Sequence, residues 1–259
     1  MKRRRIFLAC GCLLLAAALA VGILLWRNLS DAGPEPYTMP TLPAATAAPT
    51  DTASTDPLST EPEPTEPEVR LDPEKLKEIG PDVYAWLKIE GSDIDFPIVQ
   101  SPTDDTYYLR RDPQGNKDNN GCIFTEHRYN STDFLSDPVT LIYGHNMRSG
   151  AMFGTLLKLY TDSAFLEEHP YITVYTTQGT LRYGVFAAVP YNSHHILYSY
   201  DFSDPGRYQT FLNRIHAVRD INARFVPEYE PEPGVDKMIV LSTCYGKDGR
   251  FLVLATLLP

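Results

Sequence analysis

The chain has 259 residues and a formal net charge of −10 at pH 7, with 33 Asp and Glu against 23 Lys and Arg. A chain this acidic lacks the basic face that DNA or RNA binding requires, so nucleic acid is excluded as the main partner. It has four cysteines, and only Cys122 and Cys244 lie outside an apolar N-terminal stretch. Two thiols are too few for a disulfide framework, although one bridge between them stays open at this point.

The N-terminal residues are typical of a membrane anchor. Residues 6–26 carry no charged side chain, and they follow four basic residues at 2–5. As a helix they would span about 30 Å, enough for one membrane crossing with the basic end in the cytoplasm. A cleaved signal peptide is the alternative, but its apolar core would usually be shorter, about 7–15 residues. We therefore expect residues 1–30 to be a cytoplasmic stub and a single-pass anchor in the cell membrane, with the rest of the chain outside.

Residues 31–69 differ sharply in composition from what precedes and follows them. They contain nine prolines, eight threonines and eight acidic residues, with no lysine or arginine. Such a stretch cannot bury enough apolar surface to offset the entropy lost on ordering. The composition predicts a disordered spacer between the membrane and a folded domain that begins at residue 70.

The remaining residues, 70–259, are numerous enough to form a single core. Asp72 and Pro73 open a helix, because Asp is a preferred N-cap residue and Pro is favoured at the first helical position. The apolar spacing predicts that this helix is interrupted near Gly80 and resumes over 83–87.

Beyond that point most apolar runs are short and bounded by turn residues, which is typical of strands. The predicted strands are 94–99, 122–125, 139–143, 171–175, 181–189, 238–243 and 251–257. Two stretches with helical spacing, 152–166 and 205–218, interrupt them. Many short strands with few helices indicate a mainly β fold, and they favour a closed or nearly closed barrel because closure removes exposed sheet edges.

Cys244 is the strongest candidate for a reactive residue. It ends an apolar strand, where a nucleophile is held rigidly and yet stays open to substrate. The alternative is a small buried hydrophobe, since free cysteine is among the most buried residue types. The neighbouring Ser242, Thr243 and Gly246 leave open space beside the sulfur and favour the nucleophile. Cys122, inside an apolar run, is predicted to be the buried thiol.

Two further residues lie at strand ends in the same manner. His145 follows a β-branched-rich run and is the only one of the six histidines in such a position. Arg250 lies six residues after Cys244 across a glycine-containing turn, so it should stand on the adjacent strand. Its guanidinium can stabilise the oxyanion formed when a thiolate attacks an amide. The pair at 194–195 lacks a third ligand at suitable spacing, so we predict neither a metal nor another cofactor.

Taken together, these segments resemble the sortases, the membrane-anchored cysteine transpeptidases of Gram-positive bacteria. The segments that carry the resemblance are 140–147 (TLIYGHNM), 241–244 (LSTC) and 249–253 (GRFLV). Class B members are matched further at 107–109, 121–126 and 150–156, and by a long insert between 190 and 237. The resemblance implies a sortase-type eight-stranded β-barrel with N-terminal helices, and with the 205–218 helix inserted between strands 6 and 7.

The resemblance also implies an activity. A class B sortase cleaves a C-terminal sorting signal of a surface protein after threonine, through a thioester. It then transfers the protein to an amine of a cell-wall precursor or to a pilin lysine. Cys244 would be the nucleophile, His145 the acid and then the base, and Arg250 the oxyanion ligand, in a monomeric enzyme. Further contacts to the sorting signal are expected from a second set of residues: Asp105, Leu109, Ser242 and Thr243.

Two other functions stay open on the sequence alone. A cysteine hydrolase of cell-wall peptides would use water in place of the amine. A non-catalytic, membrane-anchored binding module would keep Cys244 merely buried.

Overall fold

The computed structural model describes residues 37–42 and 69–259. In those ranges the chain forms nine strands and five α-helices, with short 3-10 turns at Tyr107–Arg110 and Pro227–Tyr229. The strands are β1 (Val83–Lys88), β2 (Asp95–Val99), β3 (Ile123–Phe124), β4 (Val139–Tyr143), β5 (Tyr171–Tyr175), β6 (Thr180–Tyr191), β7 (Arg224–Phe225), β8 (Met238–Tyr245) and β9 (Gly249–Leu257). The helices are α1 (Pro73–Ile79), α2 (Leu156–Thr161), α3 (Ser163–Glu168), α4 (Ile196–Ser199) and α5 (Pro205–His216).

Eight of the strands close into a barrel. Their order is β5-β1-β2-β3-β4-β8-β9-β6, and β6 pairs back to β5 to complete the ring. The two-residue strand β7 adds to β6 outside the ring. The predicted eight-stranded barrel is therefore confirmed, and closure leaves β7 as a short extra strand.

The alternation of side chains along each strand produces two cores. One apolar cluster receives residues from all eight ring strands, including Ile142, Leu241 and Phe251, and fills the barrel interior. A second cluster lies on the outer face of β4, β8, β9 and β6, where α5 packs with Phe211 and Ile215. This helix lies in the insert between β6 and β8, which are the sixth and seventh strands of the ring in chain order. This is the position that the sequence predicts.

Local capping explains where the helices begin. The Asp72 carboxylate accepts hydrogen bonds from the N–H groups of the first turn of α1, at 3.0 Å from Glu74. Asp204 does the same at α5, at 2.7 Å from Gly206, and both helices have Pro at the start. Capping of this kind satisfies donors that have no partner inside the helix.

Two helix predictions need correction. Residues 83–87 do not continue the first helix but form β1, so a single helix, α1, precedes the barrel within 69–259. Most of β1 is buried, and Trp86 pairs with Pro97 on one side and Tyr175 on the other. A strand buried on both faces loses the alternating pattern that identifies strands, so its apolar spacing imitates a helix. The predicted helix at 152–166 is two short helices, α2 and α3, separated at Asp162.

Part of the predicted spacer packs on the domain. Residues 37–42 lie against 70–72, with the Asp72 N–H donating to the Pro40 carbonyl at 2.8 Å. Tyr37 and Met39 contact an apolar cluster that includes Trp86 and Tyr108. Burial raises the pKa of Tyr37 to about 12. The spacer prediction therefore differs from the structure at 37–42, where Tyr37 and Met39 pack on this apolar cluster.

The predicted anchor at 1–30 lies outside the described residues, as does the spacer apart from 37–42 and its last residue. In the described ranges, no helix combines the length and the apolar character that a membrane crossing needs. Cys122 and Cys244 are both free thiols, which settles the disulfide question against a bridge.

Candidate active site

The strand pairing brings the three predicted catalytic residues to one rim of the barrel. β4 and β8 are parallel neighbours with Tyr143 opposite Ser242, and β8 pairs with β9 so that Cys244 lies opposite Arg250. Since side chains alternate along a strand, Cys244 and Arg250 point to the outer face. His145 lies two residues beyond the end of β4 at Tyr143. The order across the sheet is therefore His145, Cys244, Arg250.

Cys244 has an exposed side chain, and its sulfur lies beside a cation. Arg250 Nη1 stands 3.6 Å from Cys244 Sγ and also donates to the Gly249 carbonyl at 3.3 Å. The guanidinium donates to the sulfur, and its remaining N–H groups can meet an oxyanion that forms next to the sulfur.

Cys122 shows the opposite environment. Its side chain is 3% exposed, and its thiol donates to the Arg111 carbonyl at 3.1 Å. Burial raises the pKa of Cys122, with further contributions from the carboxylates of Asp112 and Asp118. A thiol held in its protonated form is a poor nucleophile, so Cys122 is the structural cysteine that the sequence predicts.

His145 is oriented by a backbone carbonyl. Its Nε2 lies 2.7 Å from the Leu109 oxygen, and because a carbonyl only accepts, Nε2 must carry the proton. Nδ1 is then the ring nitrogen left to exchange a proton during a reaction. Among residues 69–259, no hydrogen bond joins His145 to Cys244, whereas Arg250 Nη1 lies 3.6 Å from the sulfur.

Two side chains clamp the ends of β4 and β8 together. Asn146 Nδ2 donates to the Cys244 carbonyl at 2.7 Å, and Thr243 Oγ1 donates to the Gly144 carbonyl at 2.8 Å. The first of these bonds joins the residue after the histidine to the nucleophile itself. Asn146 was not predicted from the sequence as a site residue, although its place directly after His145 is a local signal for it.

Of the four predicted contacts to a sorting signal, three lie at or next to the candidate site: Leu109, Ser242 and Thr243. Leu109 is 38% exposed beside His145, and Ser242 lies on the face of Cys244 but is only 3% exposed. Thr243 is 2% exposed on the interior face, where its hydroxyl binds the Gly144 carbonyl. Its hydroxyl therefore joins β8 to the end of β4, and a contact between Thr243 and a sorting signal stays a prediction.

Asp105 is engaged away from the three strand ends. Its carboxylate lies 2.5 Å from His127 Nδ1 and accepts the Arg128 N–H at 3.3 Å. These partners belong to the loop after β3, and within residues 69–259 no hydrogen bond or ion pair joins Asp105 to His145 or Cys244. The side chain positions that loop, because carboxylates that bind backbone N–H groups restrain the local chain.

A second cluster that sequence reasoning missed lies next to the outer face. His195 Nε2 lies 2.6 Å from Glu126 Oε2, and the Tyr143 hydroxyl donates to the same oxygen at 3.3 Å. His195 Nδ1 accepts the Tyr198 N–H at 3.1 Å, which caps α4. Burial, followed by Glu126, raises the pKa of Tyr143, while Arg250 acts in the opposite direction. The cluster fastens the start of the insert to the barrel beside the candidate site.

The adjacent histidines at 194–195 are of the residue type that binds metals. In the part of the chain that the structure describes, no group of three His, Cys, Asp or Glu side chains lies close enough to hold a metal. His195 has a defined role instead, between Glu126 and the N-terminus of α4.

Comparison with known proteins agrees with this geometry. The profile of the sortase domain matches residues 87–258. The chain belongs to the sortase family. Sortase B of Listeria monocytogenes is 32% identical over 178 residues, covering 68% of each chain. Residues 87–258, which the sortase domain matches, contain all three strand ends.

Solved structures of sortase B share the fold of this sortase. The Clostridium perfringens enzyme has a TM-score of 0.62 and 26% identity, covering 73% of this chain and all of that one. The Staphylococcus aureus enzyme, solved as a substrate complex, has a TM-score of 0.61 and 25% identity, covering 71% of this chain and 83% of that one. This sortase is thus similar to class B enzymes over its barrel.

Proposed function

We propose that this sortase is a class B-type transpeptidase that cleaves C-terminal sorting signals after threonine and transfers the new carboxyl end to an amine. The observation that carries the proposal is the exposed Cys244 thiol, with Arg250 3.6 Å away on the paired strand. His145 is held at the neighbouring strand end by the Leu109 carbonyl. Nucleophile, oxyanion ligand and acid–base group are thus aligned along one rim.

The first half of the reaction forms a thioester. The Cys244 thiolate attacks the threonine carbonyl carbon, and Arg250 stabilises the oxyanion that results. The C–N bond then breaks, and the departing amine takes a proton from Nδ1 of the His145 imidazolium. Because Nε2 donates its hydrogen bond to the Leu109 carbonyl, Nε2 keeps its proton and Nδ1 gives up the proton that is transferred.

The second half reverses these roles. An incoming amine attacks the thioester carbon and loses a proton to His145 Nδ1, after which the C–S bond breaks and the Cys244 thiolate leaves. The peptide bond to the acceptor is complete, and the histidine is again protonated. The enzyme returns to its starting state without a cofactor.

The partners follow from this chemistry. The donors are surface proteins that carry a C-terminal sorting signal, and the acceptor is an amine of a peptidoglycan precursor or a pilin lysine. The apolar run at 6–26 supports a single membrane helix, with the catalytic domain outside the membrane and near substrates that are themselves tethered. We propose that the enzyme acts there as a monomer.

Peptide cleavage tests the proposal directly. The purified protein is incubated with a library of peptides that share a central threonine, with and without triglycine, and the products are identified by mass spectrometry. We expect cleavage after threonine and an additional product that contains the added amine. Cys244→Ala should abolish both, because the covalent route is lost. Cys122→Ala is the matched control and should retain activity.

The other two functions have distinct outcomes in the same assay. A cysteine hydrolase would give the same cleavage product whether or not triglycine is present. A binding module would cleave nothing, and the buried Cys244 expected for it differs from the exposed Cys244 of the structure. Residual cleavage by Cys244→Ala within tenfold of the wild-type rate would also refute the proposal.

A further inference from the structure

A basic cavity lies beside the candidate active site. It has a volume of about 460 Å³, and its lining includes three cations, Arg110, Arg111 and Lys117, with one acid, Asp104. A chain with a net charge of −10 offers few such concentrations of positive charge. The mechanism derived above uses none of these four residues.

The cations are available to a ligand. Arg111 is held in place, since its Nη1 donates to the Gly115 carbonyl at 2.8 Å and its guanidinium lies 4.6 Å from the centre of the Tyr107 ring. Arg110 and Lys117 have exposed side chains, and no carboxylate within the described ranges forms an ion pair with either. Arg111 and Lys117 are partners in a β-bridge, which places their backbones side by side.

The one acid in the cavity is already satisfied. The Asp104 carboxylate accepts the Thr106 N–H at 2.9 Å and the Thr106 hydroxyl at 2.8 Å. These hydrogen bonds, with smaller contributions from His127 and Arg111, lower the pKa of Asp104. One fixed carboxylate against three cations leaves the cavity with a net positive charge.

The position of the cavity indicates which substrate it serves. Leu109 lines it, and the carbonyl of the same residue binds His145 Nε2 at 2.7 Å. Across the sheet, His145 lies on one side of Cys244 and Arg250 on the other. In the proposed mechanism, the amine enters and leaves beside His145, and the oxyanion forms beside Arg250.

We propose that this cavity binds an anionic group, a carboxylate or a phosphate, of the amine acceptor. The inference rests on the proposed function, since it names the acceptor class of the same reaction. Arg110 and Lys117 supply charge, and the restrained Arg111 supplies a fork of donors that suits planar carboxylates and phosphates. The anion would hold the acceptor so that its amine reaches the thioester beside His145.

A matched pair of acceptors tests the inference. Triglycine has a carboxylate about 10 Å from its amine when extended, and triglycinamide differs only in lacking that charge. With one uncharged donor peptide, the ratio of transfer to hydrolysis is measured for each acceptor at low and high salt. We expect triglycine to be preferred by about 5–10-fold at low salt. The preference should be lost at about 0.5 M NaCl, because the Debye length falls to a few ångströms and the attraction between the charges is screened.

Variants locate the effect. Arg110→Gln with Lys117→Gln should abolish the preference for triglycine while leaving donor cleavage unchanged. Lys158→Gln with Arg207→Gln removes the same two charges from exposed positions on α2 and α5 and should keep the preference. Equal transfer to both acceptors by the wild type, or a preference that survives in the first double variant, would overturn the inference.

Two further arms separate the remaining outcomes. Inorganic pyrophosphate and acetyl-triglycine are each added as inhibitors of transfer to triglycine. Inhibition at a lower concentration of pyrophosphate identifies a phosphate-bearing acceptor, and inhibition at a lower concentration of acetyl-triglycine identifies a carboxylate. Inhibition by neither refutes the inference. A charge preference that follows the donor peptide and not the acceptor also refutes it. Absence of any donor cleavage by the wild type would instead refute the proposed function, so the two failures are distinguishable.

Discussion

Replacement of Asn146 tests whether the clamp between the strand ends matters for catalysis. The Asn146 amide donates to the Cys244 carbonyl at 2.7 Å, and Asn146→Ala removes that bond alone. One residue earlier, the buried Thr243–Gly144 bond remains, so β4 and β8 stay paired. A single hydrogen bond at an exposed end is worth about 1 kcal/mol, which corresponds to a Tm lower by about 2–4 °C for a domain of this size.

The effect on activity should exceed the effect on stability. Freeing the Cys244 peptide group lets the sulfur drift from Arg250 and His145, and a displacement of about 1 Å can cost up to about 100-fold in rate. We expect kcat to fall by about 10–100-fold with KM changed by less than about twofold, measured by peptide cleavage alongside thermal unfolding. Asn146→Asp keeps the shape but loses the donor, so it should be no better than alanine. A kcat for Asn146→Ala within twofold of wild type would refute this reasoning.

Two other predictions concern the oxyanion ligand and the domain boundary. Arg250→Lys should lower kcat/KM by about 100–1,000-fold, because lysine keeps the charge but lacks the fork that reaches sulfur and oxyanion together; near-normal turnover would mean that Arg250 is only a surface charge. A protein that begins at residue 70 should cleave peptides at 25 °C, as the sequence predicts, but should unfold earlier than one that begins at residue 37. Loss of the packing of Tyr37, Met39 and Pro40 costs about 2 kcal/mol, or about 4–8 °C in Tm, and identical unfolding temperatures would show that this segment contributes nothing.

Much of the candidate site was readable from local sequence. Cys244, His145 and Arg250 each adjoin a short apolar run and a glycine, and such runs end where the chain leaves the barrel. The start of α1 was equally local, since Asp72 caps it through atoms two residues away. Closure of the barrel was favoured by the number of short strands, because a closed sheet has no edges to protect. The site residues and the helix start depend on side chains within one element, and closure depends on the number of short strands, so the sequence alone was enough for all three.

Other features depend on partners far away in the chain. β1 is a strand because β2 and β5 pair with both of its edges, and burial on both faces hides its period from the sequence. Thr243 and Asp105 look like free polar residues until their partners, the Gly144 carbonyl and His127, are placed. The contact between Asn146 and Cys244 spans 98 residues. Composition, spacing and local propensity carry no information about contacts between residues far apart in the chain, so only the tertiary structure could decide them.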